Sequence, residues 1–179
     1  LHNHLIRETP HIVWLHVHSN GDPAPTAKAL SAIIRPLDNA PATVSQSTPP
    51  SLDTARLDSI MGLKGKAEDG VYVYGIPRAD KVNMSGVDLL PEMDVSARVS
   101  FQPIGGGKAS VIGELVLEKG EVVPVLAALA DNGVEVTALH SHMIAEQPRL
   151  FYMHCWAVGD AGVKAGAMRK ALDKTNSLI

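Results

Sequence analysis

Cysteine is almost missing from this 179-residue chain: Cys155 stands alone, so no intrachain disulfide can form and no multi-cysteine zinc cage can be assembled. Aromatic side chains are scarce as well, with two tryptophans, three tyrosines and two phenylalanines, and 16 basic residues against 19 acidic ones leave a net charge of -3. A chain with so few stacking platforms and no cationic surplus lacks both means of holding nucleic acid, which is not an expected partner. Long apolar runs are absent too. The longest, residues 122–130, is interrupted by Pro124 and falls far short of the ~20 residues that cross a bilayer, so no transmembrane segment is expected. The stretch "IGGGK" lacks the spacing of a phosphate-binding loop and links two apolar runs as a hairpin turn does, so no nucleotide cofactor is expected.

What is present is enough to fold. With 45% hydrophobic residues the chain can bury a core as one globular unit. Residues 11–18 are apolar and β-branched enough for a strand, and 22–34 read as a helix with Asp22 as N-cap and Pro23 in its first turn. Residues 36–50 turn to Pro, Ser, Thr and Ala without apolar period, the composition of an exposed linker. From 51 onward a new unit begins, with a helix over 51–64 and strands over 71–76, 97–103 and 108–117. A helix over 121–131, strands over 134–142 and 149–157 and a helix over 160–174 complete it. Consecutive strand pairs favour an α+β fold, a mostly antiparallel sheet with helices packed on one face. The chain thus divides into 1–35, a linker over 36–50, and 51–179.

Histidine supplies the strongest pattern, because all eight fall in two short stretches and none lies within residues 19–139. "LHNHLIRETPHIVWLHVH" begins at Leu1 and "LHSHMIAEQPRLFYMHCW" at Leu139, and one offset without gaps aligns them. His2 meets His140, His4 meets His142, Glu8 meets Glu146, Pro10 meets Pro148 and His16 meets His154. This reads as internal duplication. The second copy follows a helix, a turn and a strand that the first copy lacks, so residues 1–35 are expected to be the C-terminal part of repeat one, and 51–179 a complete repeat two. A missing N-terminal half or a second copy of the chain is the partner this implies.

The stretches "GVYVYGIPRAD", "FQPIGGGKASVIGELVL", "NGVEVTALHSHM" and "PRLFYMHCWAVGD", together with the opening histidine segment, resemble the bacterial LppY/LpqO family, a two-repeat domain family without assigned function. The mycobacterial members that name it are lipoproteins, so the resemblance implies an exported protein in the cell envelope or another extracytoplasmic setting. It implies no reaction.

Residues two apart on a strand share a face, so His140 and His142 project together, with Glu146 in the turn beyond and His154 on the returning strand opposite about Thr137. The expected ligand set is His140, His142, Glu146 and His154, with His2, His4, Glu8 and His16 as its counterparts. Imidazoles with a carboxylate suit zinc, copper, iron or manganese. Three readings stand at this point: a metal or small polar-ligand site, a structural network that only packs the two repeats, and a protonation switch. No catalytic base or nucleophile stands out. Cys155 neighbours His154 in sequence but faces the other way on a strand, which makes it a buried thiol. Arg78 and Asp80 are candidates for anion binding or a surface ion pair. His11 and His18 have no histidine counterparts.

Overall fold

The computed structural model describes residues 2–9, 11–35 and 51–179; the expected linker over 36–50 lies outside the described residues. In chain order the elements are α1 (Pro23–Ile34), α2 (Thr54–Met61), β1 (Lys66–Glu68), β2 (Val71–Pro77), β3 (Asn83–Met84), β4 (Val87–Asp88), β5 (Ser96–Gly105) and β6 (Lys108–Glu118). They continue as α3 (Val122–Asp131), β7 (Glu135–His140), β8 (Glu146–Gln147), β9 (Leu150–Asp160) and α4 (Ala161–Leu172). Six strands form an antiparallel sheet in the order β1-β2-β5-β6-β9-β7, and β4-β3-β8 form a small second sheet. The fold is α+β, as the pairing of consecutive strands requires.

The alternation of β6 and β9 sorts the two faces of the large sheet. Leu115, Leu117, Met153 and Cys155 point to the side where α4 supplies Ala165 and Met168, and this is the main core. Val116, Leu150 and Tyr152 point the opposite way and join Val82 and Met143 in a smaller cluster. Glu114 and His154, partners across β6 and β9, share that second face. Helices α2, α3 and α4 therefore occupy one face and leave the other to the histidines, while α1 buries no residue.

Helix termini follow the sequence signals. Asp22, Asp53 and Asp160 each accept a backbone N–H in the first turn of α1, α2 and α4. Gly113 leaves room for Met168 of α4 against the sheet: a Cβ there would lie 2.6 Å from both Cys155 Sγ and Met168 Cε, and those side chains would have to shift to admit it. Gly105, Gly106 and Gly107 all have positive φ and turn β5 into β6, the hairpin expected of "IGGGK". Cys155 is buried against Met168, and burial pushes its thiol up to about 12, which leaves it inert. Among the described residues no helix is long and apolar enough to cross a membrane.

Two expectations are corrected. Residues 11–18 do not form a strand; among the described residues their only ladder contact is the isolated bridge His2↔Trp14. A strand needs partners for its backbone groups. β9 has β6 on one side and β7 on the other, whereas this stretch has one bridge. Its Leu15 and Val17 are 62% and 52% exposed, while Met153 and Cys155, at the same places in the other segment, are buried. Arg78 is likewise no surface ion pair. Its side chain is 1% exposed and donates to Asp80 at 2.5 Å and 2.9 Å, to Glu121 at 2.7 Å and 3.1 Å, and to the carbonyl of Val116 at 2.8 Å. Asp80 and Glu121 also accept from Asn176, so the cluster ties β2 and the start of α3 to the C-terminal segment.

Such a guanidinium has no room for an external anion and serves stability. Arg78→Ala leaves two carboxylates without their partner and is expected to cost about 3 kcal/mol, as is typical when one member of a buried pair is removed. Urea unfolding followed by circular dichroism reads this directly; an unchanged midpoint contradicts it.

Candidate metal centre

Six of the eight histidines meet on the open face of the large sheet, and a β-bulge brings the second segment's pair into place. Val136 pairs with Cys155, but the next pairs are Ala138 with His154 and His140 with Tyr152, so Thr137 is an extra residue in β7. Without it His140 would fall on the helix side with Phe151; the bulge turns it to the face of Tyr152 and His154. The Thr137 hydroxyl in turn donates to the carbonyl of His4, fastening the first segment to the sheet.

The first segment lies over this face with His2, His4 and His16 inward and His11 and His18 exposed. His4 is 5% exposed, and its Nδ1 lies 2.9 Å from Glu114 Oε1. The His2 and His4 Nε2 atoms are 2.9 Å apart, and so are those of His140 and His154. These two contacts are not counterparts, since His2–His4 corresponds to His140–His142, whose rings stand 6.1 Å apart, but other contacts do recur at the common offset. His2 bridges Trp14 as His140 pairs with Tyr152. The rings of His2 and His16 stand 5.0 Å apart, and those of His140 and His154 5.1 Å. Trp14 packs on His4 at 4.1 Å, and Tyr152 on His142 at 4.5 Å. Between segments, His4 stacks on His154 at 3.7 Å, His16 meets His142 edge-on at 4.2 Å, and His2 meets His140 at 3.8 Å.

The tautomers follow from what each Nδ1 faces. His4 Nδ1 donates to the Glu114 carboxylate and His140 Nδ1 lies 3.1 Å from the Ser141 carbonyl, so both rings turn a bare Nε2 lone pair into the cluster. A carboxylate or carbonyl behind the ring is the arrangement that orients a metal-binding imidazole. Metal–nitrogen bonds of ~2.0–2.1 Å place ligand nitrogens about 2.9 Å apart at right angles and about 3.4 Å apart in a tetrahedron. The His2–His4 and His140–His154 pairs have that spacing, the ligand atoms of His2, His4 and His154 all lie within 4.8 Å of one another, and His140 adjoins them through His154. His16, His142 and Asp94 form another such group.

Burial keeps five of the rings neutral. It pushes His2 and His142 down to about 4 and His154 to about 3, aided in each case by neighbouring imidazoles, and lowers His16 and His140 for the same first reason. Neutral imidazole is the ligand form. Glu114 is pushed up by burial, but the hydrogen bond it accepts from His4, together with the charge of nearby basic groups such as Arg98, holds it below the usual carboxylate value.

All six expected histidines thus come together, including His154, which reaches His140 diagonally across the β7 and β9 pair. The two expected carboxylates do not join them. Glu146 accepts from the backbone N–H of Leu150 at 3.0 Å and pairs with Arg149; Glu8 accepts from Ile12 N–H at 3.3 Å and pairs with His11. Both fasten their own turns, three and four residues on. The carboxylates beside the histidines are instead Glu114 and Asp94. Glu114 had a signal in the sequence: it is the one charged residue within 109–117, on a strand otherwise apolar or small. Asp94 had none, since only the fold carries its loop to the cluster.

The depressed imidazoles set a pH dependence for the metal-free protein. Each is more easily protonated when unfolded, near 6.5, than when folded. Stability is therefore full above about pH 6.5 and falls as pH drops towards the folded values. Between pH 6.5 and 5, where carboxylates do not yet titrate appreciably, the urea midpoint in chelator is expected to decline steadily. A flat midpoint over that window contradicts neutral burial of the cluster.

No curated protein and no solved structure matches this chain. A family model does: it matches residues 1–35 and 55–174, both histidine segments included. The chain belongs to the family described as Domain of Unknown Function (DUF1259).

Proposed function

We propose that the protein binds a divalent transition metal, zinc, copper, iron or manganese, through His2, His4, His154 and His140, with Glu114 orienting His4 from behind. The observation that carries this is the pair of Nε2 contacts at 2.9 Å, in which His4 and His140 each present a lone pair fixed by a partner on the opposite ring nitrogen. The size of the site supports an ion over an organic ligand. The cavity bordered by His2, His4, His16, His142 and Glu114 has a volume of about 40 Å³. That accommodates an ion with a water or two, against the several hundred Å³ typical of small-molecule pockets.

The two segments act in this reading as duplicated histidine hairpins that close on one another, each supplying half of the ligands. A metal so held polarises bound water or a carbonyl. The charged groups at the cluster, Glu114 and Asp94, face imidazoles, and the arrangement favours metal binding as the primary activity. The LppY/LpqO resemblance supports an exported, extracytoplasmic protein, where capture or presentation of a transition metal is a coherent role.

Dialysis against each of the four metals followed by elemental analysis tests the proposal. The wild-type chain is expected to retain at least one ion, and a His4→Ala/His140→Ala double variant to lose it while keeping its circular dichroism spectrum. Metal at 100 times its dissociation constant adds about 2.7 kcal/mol, a rise of roughly 5–10 °C in Tm for a chain of this size. Retention of none of the four metals, with melting unchanged by chelator, leaves the histidines as a packing network and overturns the proposal.

A further inference from the structure

The cluster has a second side that one metal position does not use. His16 and His142 lie there with their Nε2 atoms buried and without hydrogen-bond partners, and the His142 side chain is only 5% exposed. A buried polar atom left unpaired is costly, so such a pair on one face of a cavity calls for a ligand. Asp94 is the third member. Its Oδ2 stands 3.5 Å from His142 Nε2 and 3.8 Å from His16 Nδ1. These separations are too long for hydrogen bonds but suited to donors that close around a shared ion.

Asp94 is built into this position. Its backbone has φ of 59°, in the left-handed region that few residues other than glycine, Asn and Asp adopt. Its carbonyl accepts a 2.5 Å hydrogen bond from the Tyr152 hydroxyl, and the Tyr152 ring packs against His142. One side chain thus sets the place of both an imidazole and the carboxylate, the kind of outer support that ligating groups require.

The exchange of segments makes the same point independently. Swapping each histidine for its counterpart carries the His4·His154 pair onto His142·His16 and returns His2·His140 to itself. Glu114 stands beside the first pair and Asp94 beside the second, although neither belongs to a histidine segment. His2 lies between the two sides, with its ring 4.8 Å from His4 and 5.0 Å from His16.

We propose that His16, His142 and Asp94 form a second metal position beside the first, so that the protein holds two neighbouring ions. This rests on the metal-binding reading of the cluster above. The positions differ in chemistry: the first is all nitrogen, and the second joins two imidazoles to one carboxylate, a set suited to iron, manganese or zinc.

Equilibrium dialysis of the full chain against Zn²⁺, with elemental analysis, counts the ions, and Mn²⁺ loading followed by electron paramagnetic resonance reports whether they are neighbours. Wild type is expected to reach two ions per chain, and its Mn²⁺ spectrum to be broadened by spin coupling. Asp94→Asn keeps a residue that tolerates the left-handed backbone, and His142→Ala removes an imidazole. Each is expected to retain one tightly held ion and a resolved, uncoupled Mn²⁺ signal, the other affinity falling at least the roughly 10- to 100-fold that loss of even an outer-sphere partner causes. Circular dichroism checks that both variants fold. A wild-type plateau at one ion, whichever variant removes it, overturns the second position while leaving the metal-binding reading intact; so do two ions retained in both variants. A wild type that binds no ion overturns both.

Discussion

The pairing of β7 with β9 carries one extra residue, Thr137, and the open face of the sheet depends on it twice. The bulge shifts the alternation of β7, so that His140 joins His154 and Tyr152 on the face away from the helices. The same residue's hydroxyl binds the His4 carbonyl and fixes the height at which the first segment lies on the sheet. The contacts between the two segments, from the 3.7 Å stack of His4 on His154 to the meeting of His2 with His140, are made where these two features and the His4–Glu114 pair hold the segment. The helix side of the sheet, closed by α4 over Gly113, supplies the rigid support on which this face is presented.

The histidine cluster is costly as packing alone. His2, His16, His140, His142 and His154 stay neutral because burial, with the neighbouring imidazoles, disfavours protonation, and several nitrogens of the cluster lack partners. An apolar set of the same shape would fill the space without unpaired nitrogens. The residues around the rings add to the contrast: Glu114, the Ser141 carbonyl and Tyr152 act on orientation and tautomer, which matter to a ligand and little to a core.

Much of this was legible in the sequence. β2, β5, β6, β9, α3 and α4 show strong periods and clear caps, and they form close to where those signals place them. Strands of two or three residues, β1, β3, β4 and β8, have no period to read. Residues 11–18 carry strand composition, but ladder partners are a property of the fold and not of the stretch itself. The histidines were legible because they recur at one offset. Recurrence marks residues that do the same local job, however, and it marked Glu8 and Glu146 for fastening a turn as firmly as the histidines for meeting in the cluster. Glu114 and Asp94 occur once each, and only the register of β6 against β9 and the loop before β5 bring them to the rings.

A crystal structure of the protein after incubation with zinc, with diffraction recorded above and below the metal edge, tests the central claim most directly. Anomalous peaks are expected within bonding distance of the Nε2 atoms of His2, His4 and His154, and between His16, His142 and Asp94. A cluster without anomalous density, its imidazoles hydrogen-bonded only to one another, would contradict the account.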